Sequence, residues 1–213
     1  MKKERPELRS TDGLELEAEL WITDEPRAGL AFCHPHPQMG GTMNAPLLVT
    51  VAEELVQRGW NVLRFNFRGI GDSEGEPSTG TAEIADAEGA VQFMRSRFPD
   101  LPIAIAGWSF GAAVAARVAA ADASLAALVA IAPAVKKKPG ITDGLPPAES
   151  IDLQVPTLVV CATHDELVEA EDCRNWAETA KTELHEMPGA NHFFWAKYEK
   201  LASVIVEFLD AEV

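Results

Sequence analysis

Basic residues, cysteines and long apolar runs are all scarce in this chain. Eighteen Lys and Arg stand against 33 Asp and Glu, a formal net charge of −15, and that sign opposes phosphate backbones and anionic lipid. Neither nucleic acid nor a membrane surface is an expected partner. The three cysteines, Cys33, Cys161 and Cys173, cannot all pair and are spaced too widely to look like a disulfide framework. All three are read as thiols, which points to a reducing, cytoplasmic setting. The longest uncharged apolar stretch, Leu101 to Ala116, has 16 residues, short of the ~20 that a spanning helix needs. The charged start, Met1 to Arg5, lacks the apolar run of a signal peptide, so export is not expected.

What is present is ordinary for a globular protein: 213 residues, 47% apolar, 24% charged, with 15 Gly and 14 Pro and no internal repeat or low-complexity tract. That length suits one domain over residues 1–213. Segments 7–10 and 14–21 flank Thr11-Asp12-Gly13, an Asp-Gly hairpin signal that predicts antiparallel strands at the start. Strand-length apolar runs then alternate with amphipathic stretches. Extended segments are predicted at 29–33, 61–67, 102–106, 125–131, 157–161 and 183–187, and helices at 46–58, 81–98, 109–121, 168–179 and 195–209. Such alternation predicts an α/β fold, a mainly parallel sheet with helices on both faces. Asn44 is the expected cap of the first helix and Ser78 or Thr81 of the second. One long irregular connection, residues 132–154, carries Lys136-Lys137-Lys138; its 23 residues exceed the ~12–15 usual for a structureless loop.

Gly107-Trp108-Ser109-Phe110-Gly111 fits G-x-S-x-G and sits directly between an apolar strand and a helix rich in small residues. The pattern needs that context, because the glycines permit a sharp strand-to-helix turn that lifts the serine oxygen above the sheet edge. A serine hydroxyl is a poor nucleophile without a base and a group to orient the base. His192 lies in a loop after the last strand, and Asp165 lies four residues past the run Leu158–Cys161. Both are at the carboxyl ends of strands, where open α/β sheets gather their catalytic groups. The candidate catalytic residues are Ser109, Asp165 and His192, with Glu166 the alternative acid. Their order along the chain is that of the α/β hydrolases.

Acyl transfer also needs donors for an oxyanion. The N–H of Phe110, next after the nucleophile, is one. The second should come from His34-Pro35-His36-Pro37, and since prolines have no N–H only His34 or His36 can donate; His36, held between two prolines, is the better. Two histidines two residues apart also suggest a metal, but no carboxylate follows at ligand spacing, so no metal is expected. Gly69-Ile70-Gly71 lacks the third glycine of a dinucleotide loop, and no cofactor is expected; a structural turn anchored by Arg68 is the reading preferred there.

Taken together, His34-Pro35-His36-Pro37 with Gly40-Gly41 and Asn44, Arg68-Gly69-Ile70-Gly71-Asp72-Ser73, the Ser109 elbow, Asp165 and His192 resemble the α/β hydrolases, and within them the small lidless dienelactone-hydrolase-like and prolyl-oligopeptidase-like enzymes. Dienelactone hydrolases proper use a cysteine nucleophile where this chain has Ser109, and many relatives carry Asp where it has Asn66. The resemblance implies a serine esterase without a cap domain, acting through an acyl-enzyme, Ser109 attacking, His192 exchanging protons, Asp165 orienting the imidazole, and the N–H groups of His36 and Phe110 holding the oxyanion. A 23-residue connection is too short for a helical cap, so an open, shallow site for a small-molecule ester is expected. Lys136–Lys138 falls on its rim, either as an attractor of anionic substrates or as a solvated charge run. Thioester, lactone or short-peptide cleavage would use the same residues, and a non-catalytic binding relative would keep the fold. Oligomeric state is not readable from the sequence.

Overall fold

A computed structural model describes residues 1–213. The chain opens with β1 (Lys2–Glu4), then a hairpin of β2 (Leu8–Arg9) and β3 (Glu15–Leu16) around the Asp-Gly turn. The single strand expected over 14–21 is split: β3 ends at Leu16 and β4 (Ala18–Ile22) joins the main sheet. The break falls at Glu17, whose N–H donates to Ser73 Oγ and whose carbonyl accepts from Asn66 N–H.

The remaining elements follow the alternation: β5 (Ala28–Cys33), α1 (Pro46–Gln57), β6 (Trp60–Phe65), α2 (Glu83–Arg97), β7 (Ile103–Trp108), α3 (Phe110–Ala121), β8 (Leu128–Ile131), β9 (Thr157–Ala162), α4 (Ala170–Ala180), β10 (Glu183–Met187) and α5 (Tyr198–Glu212). They build an eight-stranded sheet in the order β1-β4-β6-β5-β7-β8-β9-β10, antiparallel only where β1 and β4 pair and where β4 meets β6. Strands β5, β7, β8 and β9 are buried throughout because both sheet faces are covered. Side chains alternate between two cores. Leu30 and Phe32 of β5 pack with α1 and α5, while Ala31 and Cys33 pack with α2, α3 and α4.

Several local expectations are corrected. Asn44 does not cap α1; Ala45 occupies that position, and the Asn44 side chain faces Arg64 instead. Helix α2 starts two residues later than expected, after a turn in which Ser78 Oγ accepts from Ala82 N–H and Glu83 accepts from the N–H groups of Ser78 and Gly80. Trp195 is not helical, since α5 begins at Tyr198. The cysteines are not all thiols. Cys161, near the end of β9, and Cys173, on α4, form a disulfide across a Cα separation of 6.3 Å, leaving Cys33 as a buried thiol. Their 12-residue spacing hid this, because the βα connection folds α4 back onto its own strand. The inference from cysteines to a reducing compartment therefore no longer follows. No helix is long and apolar enough to cross a membrane.

Residues 132–154 contain one turn of 3-10 helix (Ala148–Ser150) and a Lys138–Thr142 bridge, and form no cap. The loop is tied down: Asp143 accepts from the hydroxyls of Thr79 and Thr81, at 2.8 Å each. Those hydrogen bonds lead the effects, with Lys137, that hold its carboxyl below its ordinary value.

Candidate active site

Parallel strands all end on the same side, so the loops after β5, β7, β9 and β10 converge at one edge of the sheet. The turn after β7 carries Ser109 in a left-handed conformation, φ 56° and ψ −112°. For a residue with a Cβ this costs on the order of 1–3 kcal/mol, and the surrounding backbone holds it. Ser109 N–H donates to Ile131 O at 2.8 Å, and Ser109 O accepts from Ala112, Ala113 and Ala134. A Cβ on Gly107 would overlap the backbone of Gly111, and one on Gly111 would overlap the carbonyls of Cys33 and His34. The two glycines are thus required by close approach of β7, α3 and β5.

His192 Nε2 lies 3.0 Å from Ser109 Oγ, and His192 Nδ1 lies 2.8 Å from Asp165 Oδ2. One chain of hydrogen bonds therefore joins residues 83 and 27 positions apart. The Asp165 side chain is almost fully buried, and its other oxygen accepts from the N–H groups of Leu167 (2.8 Å) and Val168 (2.7 Å). Those bonds aim the carboxylate at the imidazole. Glu166, the alternative acid, is exposed and accepts only from the backbone N–H of His192, at 3.3 Å. Trp108 Nε1 donates to His192 O at 3.2 Å, which pins the histidine loop to the elbow.

On the other side of Ser109, the His36 and Phe110 N–H groups make no hydrogen bond within the protein. The His36 ring is fixed: Nε2–H donates to Ile141 O at 2.8 Å and Nδ1 accepts from Gln38 N–H at 3.2 Å. His34 sits deeper, its Nε2 accepting from Phe67 N–H at 3.0 Å. Burial pushes the His34 imidazole down to about 4 from an ordinary 6.5, against the opposing pull of the Pro35 carbonyl. The two rings are engaged by different backbone groups, His34 by Phe67 N–H and His36 by Ile141 O and Gln38 N–H.

Arg68 anchors the neighbouring turn. Its side chain grips the fully buried Asp86 and reaches Asp12, and its N–H also donates to Asp86. Burial opposes charging, but Asp86 and then Asp12 outweigh it and hold the guanidinium above its ordinary value. Asn66 Oδ1 accepts from Met43 N–H and its Nδ2 donates to Glu17 at 2.7 Å; an Asp there would set two carboxylates face to face.

Two hollows meet at Ser109. One, of about 190 Å³, runs under residues 134–142 and against Phe110 and Val168; the other, of about 390 Å³, is walled by Trp108, His192, Phe193 and Trp195. Lys136 and Lys138 do stand on the rim; the charge of Lys136 is paired, while Lys138 is held by a backbone carbonyl and has no acidic partner. Lys136 pairs with Asp172 (2.7 Å) and Glu169 (3.7 Å), Lys137 with Asp143 (3.4 Å), and Lys138 Nζ donates to Leu167 O. Residues that sequence reasoning did not single out, Met39, Ile141, Leu167 and Trp195, also line the hollows. They come from four separate loops and carry no periodic signal.

A family model described as serine aminopeptidase, S33, matches residues 24–151. An uncharacterized protein of Rickettsia prowazekii (strain Madrid E) is 30% identical over 195 residues, which is 86% of this chain and 79% of that protein. Among solved structures, an alpha-beta serine hydrolase homologue from Coxiella burnetii is similar at 29% identity, covering 97% of each chain with a TM-score of 0.85. A Xanthomonas campestris protein described as an a/b serine hydrolase without lid is 28% identical, covering 99% of this chain and 95% of that one with a TM-score of 0.83.

Proposed function

Since this chain belongs to the serine aminopeptidase (S33) family of α/β hydrolases, we propose that it is a serine hydrolase that cleaves small carboxylic esters through an acyl-enzyme on Ser109. The observation that carries the reading is the continuous hydrogen-bonded run from Ser109 Oγ through His192 to Asp165, beside two unengaged backbone N–H groups. His192 Nδ1–H faces Asp165, so Nε2 is left with a lone pair for the serine proton. As that proton leaves, Oγ attacks the acyl carbon and the carbonyl oxygen becomes an oxyanion held by His36 and Phe110 N–H. The imidazolium then gives its proton to the alcohol oxygen as the ester C–O bond breaks. Water repeats the sequence on the acyl-enzyme, and acid and free Ser109 are released. Asp165 stays ionised throughout and stabilises the imidazolium.

The family description also favours weighing peptide cleavage from an N-terminus. That would call for a free carboxylate to hold the substrate ammonium, and the carboxylates on the smaller hollow, Glu169 and Asp172, are both paired with Lys136. Ester cleavage is therefore preferred. The test is labelling with a fluorophosphonate, followed by hydrolysis of short-chain esters and of aminoacyl amides. An adduct on Ser109 that disappears in Ser109→Ala, with esters turned over faster than amides, is expected. Folded protein that takes no label removes the hydrolase reading, and faster amide turnover replaces it with the peptidase one.

A further inference from the structure

Five large apolar side chains are conspicuously exposed, and four of them, Met39, Ile141, Leu167 and Trp195, surround Ser109; the fifth is Met1. Exposed apolar groups gathered at one place mark a binding surface rather than chance. The two hollows that they border are not equivalent. The proton that His192 returns must go to the leaving oxygen, so the alcohol half of an ester has to lie on the His192 side. Only the larger hollow, about 390 Å³, is lined by His192. The acyl half then falls to the smaller one, about 190 Å³, between Phe110 and the 134–142 loop.

The wall of the larger hollow is aromatic. Trp195 stacks on Phe193 with ring centroids 5.3 Å apart and planes 19° from parallel, and Phe193 meets the His192 ring edge-to-face at 5.6 Å. Trp195 is nonetheless 65% exposed, so the indole offers an uncovered face. It is also presented by strained backbone: Phe194 and Ala196, on either side, are left-handed at φ 52° and 59°. Two non-glycine residues rarely adopt that region so close together, and such strain collects where function needs a particular presentation. The strain is held by the fully buried Phe194 side chain, and by Asn191, whose carbonyl accepts from Phe194 N–H and whose side chain accepts from Trp195 N–H.

Resting on the esterase reading above, we propose that Trp195 is the platform for the leaving group, and that the preferred substrates are esters of short acids with planar aromatic alcohols. A flat ring entering beside His192 would lie on the open indole face while the ester carbonyl stays at Ser109. An aliphatic alcohol would fill the same hollow without that stacking.

The experiment compares kcat/KM for 2-naphthyl acetate and ethyl acetate in the wild type, Trp195→Ala and Trp195→Phe. Intrinsic reactivity cancels when the aryl-to-alkyl ratio is compared between proteins. That ratio is expected to fall about ten-fold in Trp195→Ala, the scale of a lost aromatic stacking contact with its burial, and to recover in large part in Trp195→Phe. The ratio of methyl benzoate to methyl acetate, which puts the ring on the acyl side, should not move. An unchanged aryl-to-alkyl ratio in Trp195→Ala overturns the platform, and a shift in the benzoate ratio instead overturns its orientation. Wild-type protein that hydrolyses none of the esters and takes no fluorophosphonate overturns the esterase reading, and this proposal with it.

Discussion

Replacing His36 by proline removes one N–H from the site at a position whose own backbone angles already suit a proline ring. His36 already has φ −50° and ψ 119°, within reach of the φ that a proline ring imposes. Its N–H has no acceptor in the protein, so the substitution breaks no backbone hydrogen bond of the fold. It does delete the imidazole, with its bonds to Ile141 O and Gln38 N–H and its contact with the Phe110 ring at 5.0 Å. Each such hydrogen bond is worth about 1 kcal/mol of stability. His36→Ala suffers the same losses and keeps the N–H, so the ratio of the two variants isolates the donor. Losing one oxyanion donor costs about 10²–10³ in kcat, or about 3–4 kcal/mol. With an ester that the wild type cleaves, kcat and kcat/KM should fall together in His36→Pro relative to His36→Ala, since the bond is strongest in the transition state. Thermal denaturation of both variants checks that they remain folded. Equal kcat in folded His36→Pro and His36→Ala would refute the assignment of this N–H.

Other consequences can be measured on the purified protein. Because His34 is neutral in the fold with a pKa of about 4 and an ordinary value of 6.5, the unfolded chain takes up its proton first as pH falls. Its contribution is complete above about pH 6.5 and is lost on the way to pH 4, amounting to about 3 kcal/mol; urea titrations at pH 7 and pH 4 should show a smaller acid loss in His34→Gln than in the wild type, and equal losses would contradict this. Asp86→Asn leaves the buried Arg68 guanidinium short of its main partner and is expected to destabilise by about 3–5 kcal/mol, read as a lower urea midpoint; an unchanged midpoint would show the pair to be dispensable. Thiol titration of the unfolded, unreduced chain should find one reactive cysteine rather than three. Reduction should then lower stability by about 3 kcal/mol, the scale for a closed loop of this size; three titratable thiols before reduction would exclude the Cys161–Cys173 bond.

Much of the site was legible because its most demanding part is local. The elbow lies within Gly107 to Gly111, where the crowding of β7, α3 and β5 admits glycine alone at both ends. That requirement is written in five adjacent letters between an apolar strand and a small-residue helix. The order of Ser109, Asp165 and His192, and their positions just past strands, came from the same one-dimensional pattern. Asp165 was preferred to Glu166 on the same ground, although adjacent residues share most of their sequence context. The folded turn adds a geometric difference between them, since Leu167 and Val168 N–H donate to Asp165 and its other oxygen meets His192.

What the sequence determined by itself, then, was the alternating α/β class, the glycine-bounded turn that carries the candidate nucleophile, and its candidate partners, since strand periodicity and such a turn depend on neighbours a few residues away. The tertiary structure decided whatever depends on segments far apart in the chain or on how a connection folds back. It brought Cys173 against Cys161, turned the Lys136–Lys138 run onto Asp172, Glu169, Asp143 and the Leu167 carbonyl, and held Trp195 out of α5 in a strained turn beside His192. A side chain's partner is set by which strand ends the sheet brings together, and that information resides in the packing of the whole chain rather than in any window of it.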